Sequence, residues 1–163
     1  MTSISTFYLQ GPNNPISSAE SFLEEKLEKQ CEGQKKHDRV EEILMVLKSI
    51  GNAKRPMRVR GILLKCAENA QHANITHSAF RAFENMPCTD FLFTDELLKF
   101  IKNDVIDPEK RIFAFHAAMK CPTEYVVDRL VNTLKHEPSN QMASYMYTYM
   151  SNIMESNNPE NAE

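Results

Sequence analysis

Apolar positions in this chain recur with a helical period. Val40, Ile43, Leu44, Leu47 and Ile50 fall at i, i+3, i+4, i+7 and i+10, one stripe of a helix running from about Asp38 to Ile50. Gly51-Asn52 then reads as its C-terminal stop. The same reading, carried along the chain, gives about eight helical segments. The first covers Ser18 to Gln30, with Phe22, Leu23 and Leu27. The third runs from about Pro56 to Asn69, with proline near its first turn. The fourth covers about Thr76 to Met86 and stops at Pro87. Thr94-Asp95-Glu96 opens the fifth, which carries Leu97, Leu98, Ile101 and Val105. Asp107-Pro108-Glu109 opens the sixth, with aspartate as N-cap and proline at the first helical position. Thr123 caps the seventh, with Val126, Val127, Leu130, Val131 and Leu134. The eighth follows Pro138 and runs to about Met154.

The connections are short, which sets consecutive helices antiparallel. There is also an internal echo. Ala79-Phe80-Arg81-Ala82, ending in Met86-Pro87-Cys88, resembles Ala114-Phe115-His116-Ala117, ending in Met119-Lys120-Cys121, 35 positions later. That offset is the length of a helix-turn-helix repeat. The pattern therefore predicts an all-α fold: a two-layer antiparallel superhelix, or α-solenoid of HEAT-like type, in which each helix pair buries its stripe against its neighbours. Residues 1–17, broken by Gly11-Pro12-Asn13-Asn14-Pro15, read as a disordered or loop segment, 18–155 as the folded array and 156–163 as a disordered polar tail.

Composition agrees with helix. Glycine occurs 4 times in 163 residues, too rarely for a turn-rich β-sandwich. The net charge of −3 offers no basic field for nucleic acid and no acidic cation store. Met1 to Gln10 is too short and polar for a signal peptide, and nothing later reaches membrane-spanning length. If the protein is secreted, this chain is expected to be a fragment.

Four cysteines are widely spaced: Cys31, Cys66, Cys88 and Cys121. They form no C-x-x-C and no zinc-like pair, and on spacing alone free buried thiols and disulfides both stay open. The layer layout selects among the three possible pairings. With alternate helices pointing up and down, Cys31 and Cys66 fall at one end of the array, and Cys88 and Cys121 at the other. If disulfides form, the pairs are Cys31–Cys66 and Cys88–Cys121, each worth roughly 3–4 kcal/mol in the chain-entropy model.

Candidate chemistry is sparse. His37, His72, His77, His116 and His136 are scattered, without H-E-x-x-H spacing, and His116, within an apolar helix, reads as a packed or surface histidine, not a ligand. No G-x-S-x-G, phosphate loop or catalytic Cys-His signature occurs, and no cofactor is implied. Glu24-Glu25 and Glu41-Glu42 read as solvated faces. Nothing here points to an enzyme. Lys54, Arg55, Arg58 and Arg60 form a basic cluster, either a solvated helix start or a contact for a lipid head group or a neighbouring domain. Asn74-Ile75-Thr76 is a glycosylation sequon, placed in the connection before the fourth helix. Met142, Tyr145, Met146, Tyr147, Tyr149, Met150 and Met154 crowd the last helix, mostly as core, with part of the face available to another domain or to lipid.

One stretch carries a resemblance. Between Cys31 and Ser156 the chain holds Ile50-Gly51-Asn52, Leu64-Lys65-Cys66, Met86-Pro87-Cys88, Arg111 in Glu-Lys-Arg-Ile, Met119-Lys120-Cys121-Pro122, and Glu137-Pro138-Ser139-Asn140-Gln141. In these motifs it resembles the superhelical domain of the large lipid transfer proteins: vitellogenin, apolipophorin, apolipoprotein B and microsomal triglyceride transfer protein. The two cysteine-proline turns look most like the arthropod apolipophorins. The resemblance implies a helical superhelix wrapped around β-sheets that enclose lipid, and a disulfide across the stretch matching Cys31 and Cys66. It implies extracellular lipid transport, with this chain as the later part of such a wall. The partners would be lipid, reached through the sheet domains, and the remainder of the lipoprotein chain. On the residues alone, a free-standing HEAT-like protein-binding module stands as the alternative.

Overall fold

The computed structural model describes residues 21–22, 25–28, 31, 40–53, 60–69, 72–85, 88 and 91–156. Helix α1 comprises the helical positions 21–22, 25–28 and 31. Then come α2 (Val40–Ala53), α3 (Arg60–Asn69), α4 (Ala73–Glu84), α5 (Phe91–Lys102), α6 (Pro108–Met119), α7 (Glu124–Lys135) and α8 (Asn140–Glu155). No strand occurs among the described residues.

The helices sort into two layers. In one, α2 packs on α4, α4 on α6, and α6 on α8. In the other, α5 packs on α7. The layers are joined pairwise, α3 to α4, α5 to α6 and α7 to α8. That is the α-solenoid arrangement: each pair closes its apolar stripe only against its neighbours in sequence. The 35-residue echo has a structural counterpart, since Phe80 and Phe115 occupy equivalent positions in α4 and α6 and both are fully buried.

Helix α6 sits centrally, with α4 and α8 beside it and α5 across the layer. Its buried positions are Arg111, Ala114, Phe115, Ala117 and Ala118. Three alanines let neighbouring helices approach closely, while Phe115 fills the space toward α8 and meets Tyr149 edge-on at 5.3 Å.

Helix starts follow local capping chemistry. Asp107 Oδ1 accepts from the Glu109 N–H at 2.8 Å, with Pro108 in the first turn. Thr123 Oγ1 accepts from the Val126 N–H, and Ser139 Oγ from the Met142 N–H. Each such cap stabilises its helix by about 1 kcal/mol.

Three boundaries differ from the sequence pattern. Helix α2 runs through Gly51 to Ala53 instead of stopping there. Gly51 is buried against α4, and a Cβ on it would lie 3.2 Å from Ala82 Cα. The glycine permits close helix–helix approach and does not act as a cap. Helix α4 begins at Ala73, not Thr76, because the carbonyl of His72 already accepts from the Ile75 and Thr76 N–H groups. His72 supplies no side-chain cap, so nothing in the usual capping alphabet marks this start. Helix α5 likewise begins at Phe91, ahead of the Thr94 signal.

Candidate functional site

The groups that stand out are those joining one helix pair to the next. Two disulfides do so covalently. Cys31 of α1 is bonded to Cys66 of α3, with Cα atoms 5.0 Å apart. Cys88, after α4, is bonded to Cys121, after α6, with Cα atoms 5.5 Å apart. Cys31 and Cys66 are buried, whereas Cys88 is exposed.

A second clamp is ionic. Arg111 lies in the first turn of α6, 1% exposed. Its Nε donates to the Ile101 carbonyl at 2.7 Å, which ties α6 to the end of α5. Its Nη1 donates to Glu137 Oε1 at 2.9 Å, and Nη2 to Glu137 Oε2, so the contact is two-pronged. The Glu137 side chain is also 1% exposed. Glu137 Oε1 accepts a further bond from the Ser139 N–H at 3.0 Å, at the start of α8. One buried pair thus fixes the end of α5, the start of α6 and the α7–α8 turn. The separation of 26 residues hides this pairing from periodicity, although both residues lie in the most distinctive motifs of the chain.

Smaller ties repeat the theme. Thr76 Oγ1, fully buried, donates to the Ala67 carbonyl at 3.1 Å, joining α4 to α3. Lys110 Nζ reaches the Glu68 carbonyl at 3.1 Å. Tyr125 Oη donates to Asp95 at 2.7 Å, joining α7 to α5.

His116 is half-buried and hydrogen-bonded to Tyr145 Oη of α8. The Tyr149 ring stands 5.1 Å away. The His77 ring of α4 stacks on Phe113, one turn before His116, at 4.6 Å. Burial lowers the His116 pKa from its ordinary value; Glu84 opposes the shift and His77 adds to it. Burial raises that of Tyr145, with Tyr149 adding.

The other residues singled out in the sequence are not gathered into one site. Asn74 is exposed in the first turn of α4, inside the helix and not in the connection before it. Its sequon partner Thr76 has a structural reason to be threonine, the bond to Ala67. Lys54, Arg55 and Arg58 lie outside the described residues, and Arg60 is the first residue of α3. In α8, Met142 and Met146 are fully buried, whereas Tyr147 is 66% and Met154 86% exposed, so the helix packs one face and leaves the other open. Among the described residues, no group of three or more His, Cys, Asp or Glu is placed to hold a metal ion, and no helix is long and apolar enough to cross a membrane.

Fold and clamps together define a class: an α-solenoid whose successive helix pairs are tied by disulfides and buried polar bonds. The Vitellogenin TPR domain family model matches residues 4–151, and the chain belongs to that family. Similar proteins include apolipophorins of Drosophila melanogaster (29% identical over 91% of this chain and 4% of theirs) and of Locusta migratoria (26% over 74% and 4%). Apolipoprotein B-100 of Rattus norvegicus is 26% identical over 83% of this chain and 3% of its own. The chain therefore spans no more than 4% of the length of these curated relatives. No solved structure matches it. The resemblance read from the Cys31–Ser156 motifs is that of the family itself.

Proposed function

We propose that this chain is a structural segment of an extracellular lipid carrier, a stretch of clamped helical wall. One observation carries the reading: the stretch matched by the Vitellogenin TPR domain model, residues 4–151, includes both disulfides and most of the described two-layer array. Relatives named as apolipophorins and apolipoprotein B-100 supply the lipoprotein context. Two disulfides support an oxidising, extracellular setting, because cytosolic thiols are kept reduced. In this reading residues 18–155 form the later part of a superhelical wall, lipid is held by sheets elsewhere in the particle, and no residue performs chemistry. Lys54, Arg55, Arg58 and Arg60 are assigned to head-group or domain contact, and the exposed Asn74 to glycosylation.

Density flotation of the source organism's body fluid, probed with an antibody to this chain, tests the reading. A buoyant band far larger than 18.8 kDa is expected. A dense band near 18.8 kDa would overturn it in favour of a free-standing helical binding module.

A further inference from the structure

We propose that His116 forms an acid-sensitive seam between α6 and α8, on the flank that α4 also meets, and that protonating it loosens α8 from α6. The proposal is independent of the lipid reading, because it rests only on how three helices of one layer meet.

The geometry places the imidazole at a joint. His116 is the α6 residue hydrogen-bonded to α8, through Tyr145 Oη. It is enclosed edge-on by Phe115 of its own helix and by Tyr145 and Tyr149 of α8, with ring centroids 5.1–6.2 Å away. One turn earlier on α6, Phe113 carries the stacked ring of His77 from α4. The exposed His77 ring of α4 thus lies beside the same seam, close enough that charge on it disfavours charge on His116.

The ionisable surroundings offer little compensation. From α4, Glu84 favours the imidazolium and His77 disfavours it, while burial outweighs both. From α8 the Tyr145 hydroxyl bonds it and the Tyr149 ring stands edge-on to it. The charged residues of α5 (Asp95, Glu96, Lys99 and Lys102) are exposed in the other layer. On α6 itself Glu109 is exposed, Lys110 reaches the Glu68 carbonyl and Arg111 is occupied by Glu137, while Lys120 just beyond α6 and Arg81 of α4 are exposed. A half-buried imidazolium favours an opening that lets water reach it, and the contact it strains is the one it makes with Tyr145 of α8.

The sign follows from linkage. The unfolded chain titrates near about 6.5, and His116 in the folded protein binds its proton less readily. The stability it contributes is therefore complete above that value and is lost as pH falls toward the folded pKa. A joint set in this range responds to the acidification that histidine switches commonly read.

Hydrogen exchange of the full chain at about pH 7 and about pH 5, corrected for the intrinsic pH dependence of exchange, tests the seam, together with NMR titration of the histidine rings. Acidification is expected to lower protection in α8 more than in α2, by roughly tenfold for each pKa unit by which His116 is depressed. His116→Gln can still bond Tyr145 but cannot charge, and is expected to remove the differential loss. His116 titrating at or above its ordinary value, or a His116→Gln chain that keeps the loss, would overturn the proposal. If that variant does not fold, the titration of the unaltered chain decides by the same criterion.

Discussion

Arg111 and Glu137 face each other across a joint from which water is excluded, with both nitrogens of the guanidinium fork on both carboxylate oxygens. A buried pair of this kind is costly to break and less costly to replace. Glu137→Ala should lose about 3–5 kcal/mol, because Arg111 is left charged and unpaired in the interior. Arg111→Met together with Glu137→Leu should recover much of that loss. Urea unfolding of the three chains checks it, and a double variant no better than the single one would show that the pair is needed for more than charge compensation.

Thr76 and Asn74 can be separated by substitution. Thr76→Val removes both the sequon and the bond to the Ala67 carbonyl, and should lose about 1–3 kcal/mol as that buried carbonyl goes unpaired. Thr76→Ser keeps the hydroxyl and the sequon. Asn74→Gln removes only the sequon, and its exposed site should leave stability within about 0.5 kcal/mol. Thermal unfolding of unglycosylated material should rank the three accordingly.

Gly51 and Gly61 should respond in opposite directions to alanine. At Gly51 the new methyl would meet backbone, Ala82 Cα, at 3.2 Å, and the α2–α4 contact would have to part. A net loss of about 1 kcal/mol is expected there, crowding outweighing the better helix propensity. At Gly61 nothing lies within 4 Å, and alanine should add about 0.4–1 kcal/mol. Parallel denaturant midpoints settle the comparison; a stabilising Gly51→Ala would mean that the two helices yield easily.

The two disulfides should not reduce together. Cys31 and Cys66 are inaccessible in the folded chain, whereas Cys88 is exposed. Thiolate attack needs access to sulfur, so mild reductant should open Cys88–Cys121 first. Timed alkylation and peptide mapping reads the order. Loss of either bridge should lower stability by roughly 3–4 kcal/mol in the chain-entropy model, given separations of 35 and 33 residues.

These residues also mark how far a linear reading goes. The stripe from Val40 to Ile50, the Asp107-Pro108 start and the Thr123 cap are local signals, and the helices follow them. Layer order and the placement of the four cysteines follow from alternating helix direction. Thr76, read as the approximate start of a helix, and Gly51, read as a stop, both lie within helices, and each serves a neighbouring helix instead. The Arg111–Glu137 pair and the His116–Tyr145 bond join positions 26 and 29 residues apart, and only the packing of α6 between its neighbours brings them together. The basic cluster at Lys54, Arg55 and Arg58 falls outside the described residues.

The bridges also set how the array behaves under tension. A solenoid pulled along its length can pay out chain one helix pair at a time, since each pair holds mainly to its neighbours. Here Cys31–Cys66 and Cys88–Cys121 close two separate stretches of 35 and 33 residues. Each keeps roughly 110 Å of extended chain from being drawn out, at about 3.3–3.6 Å per residue. Under load these segments can lose their packing and still not lengthen, whereas the chain outside the two loops, α4 between them and the part beyond Cys121, is what can be drawn out.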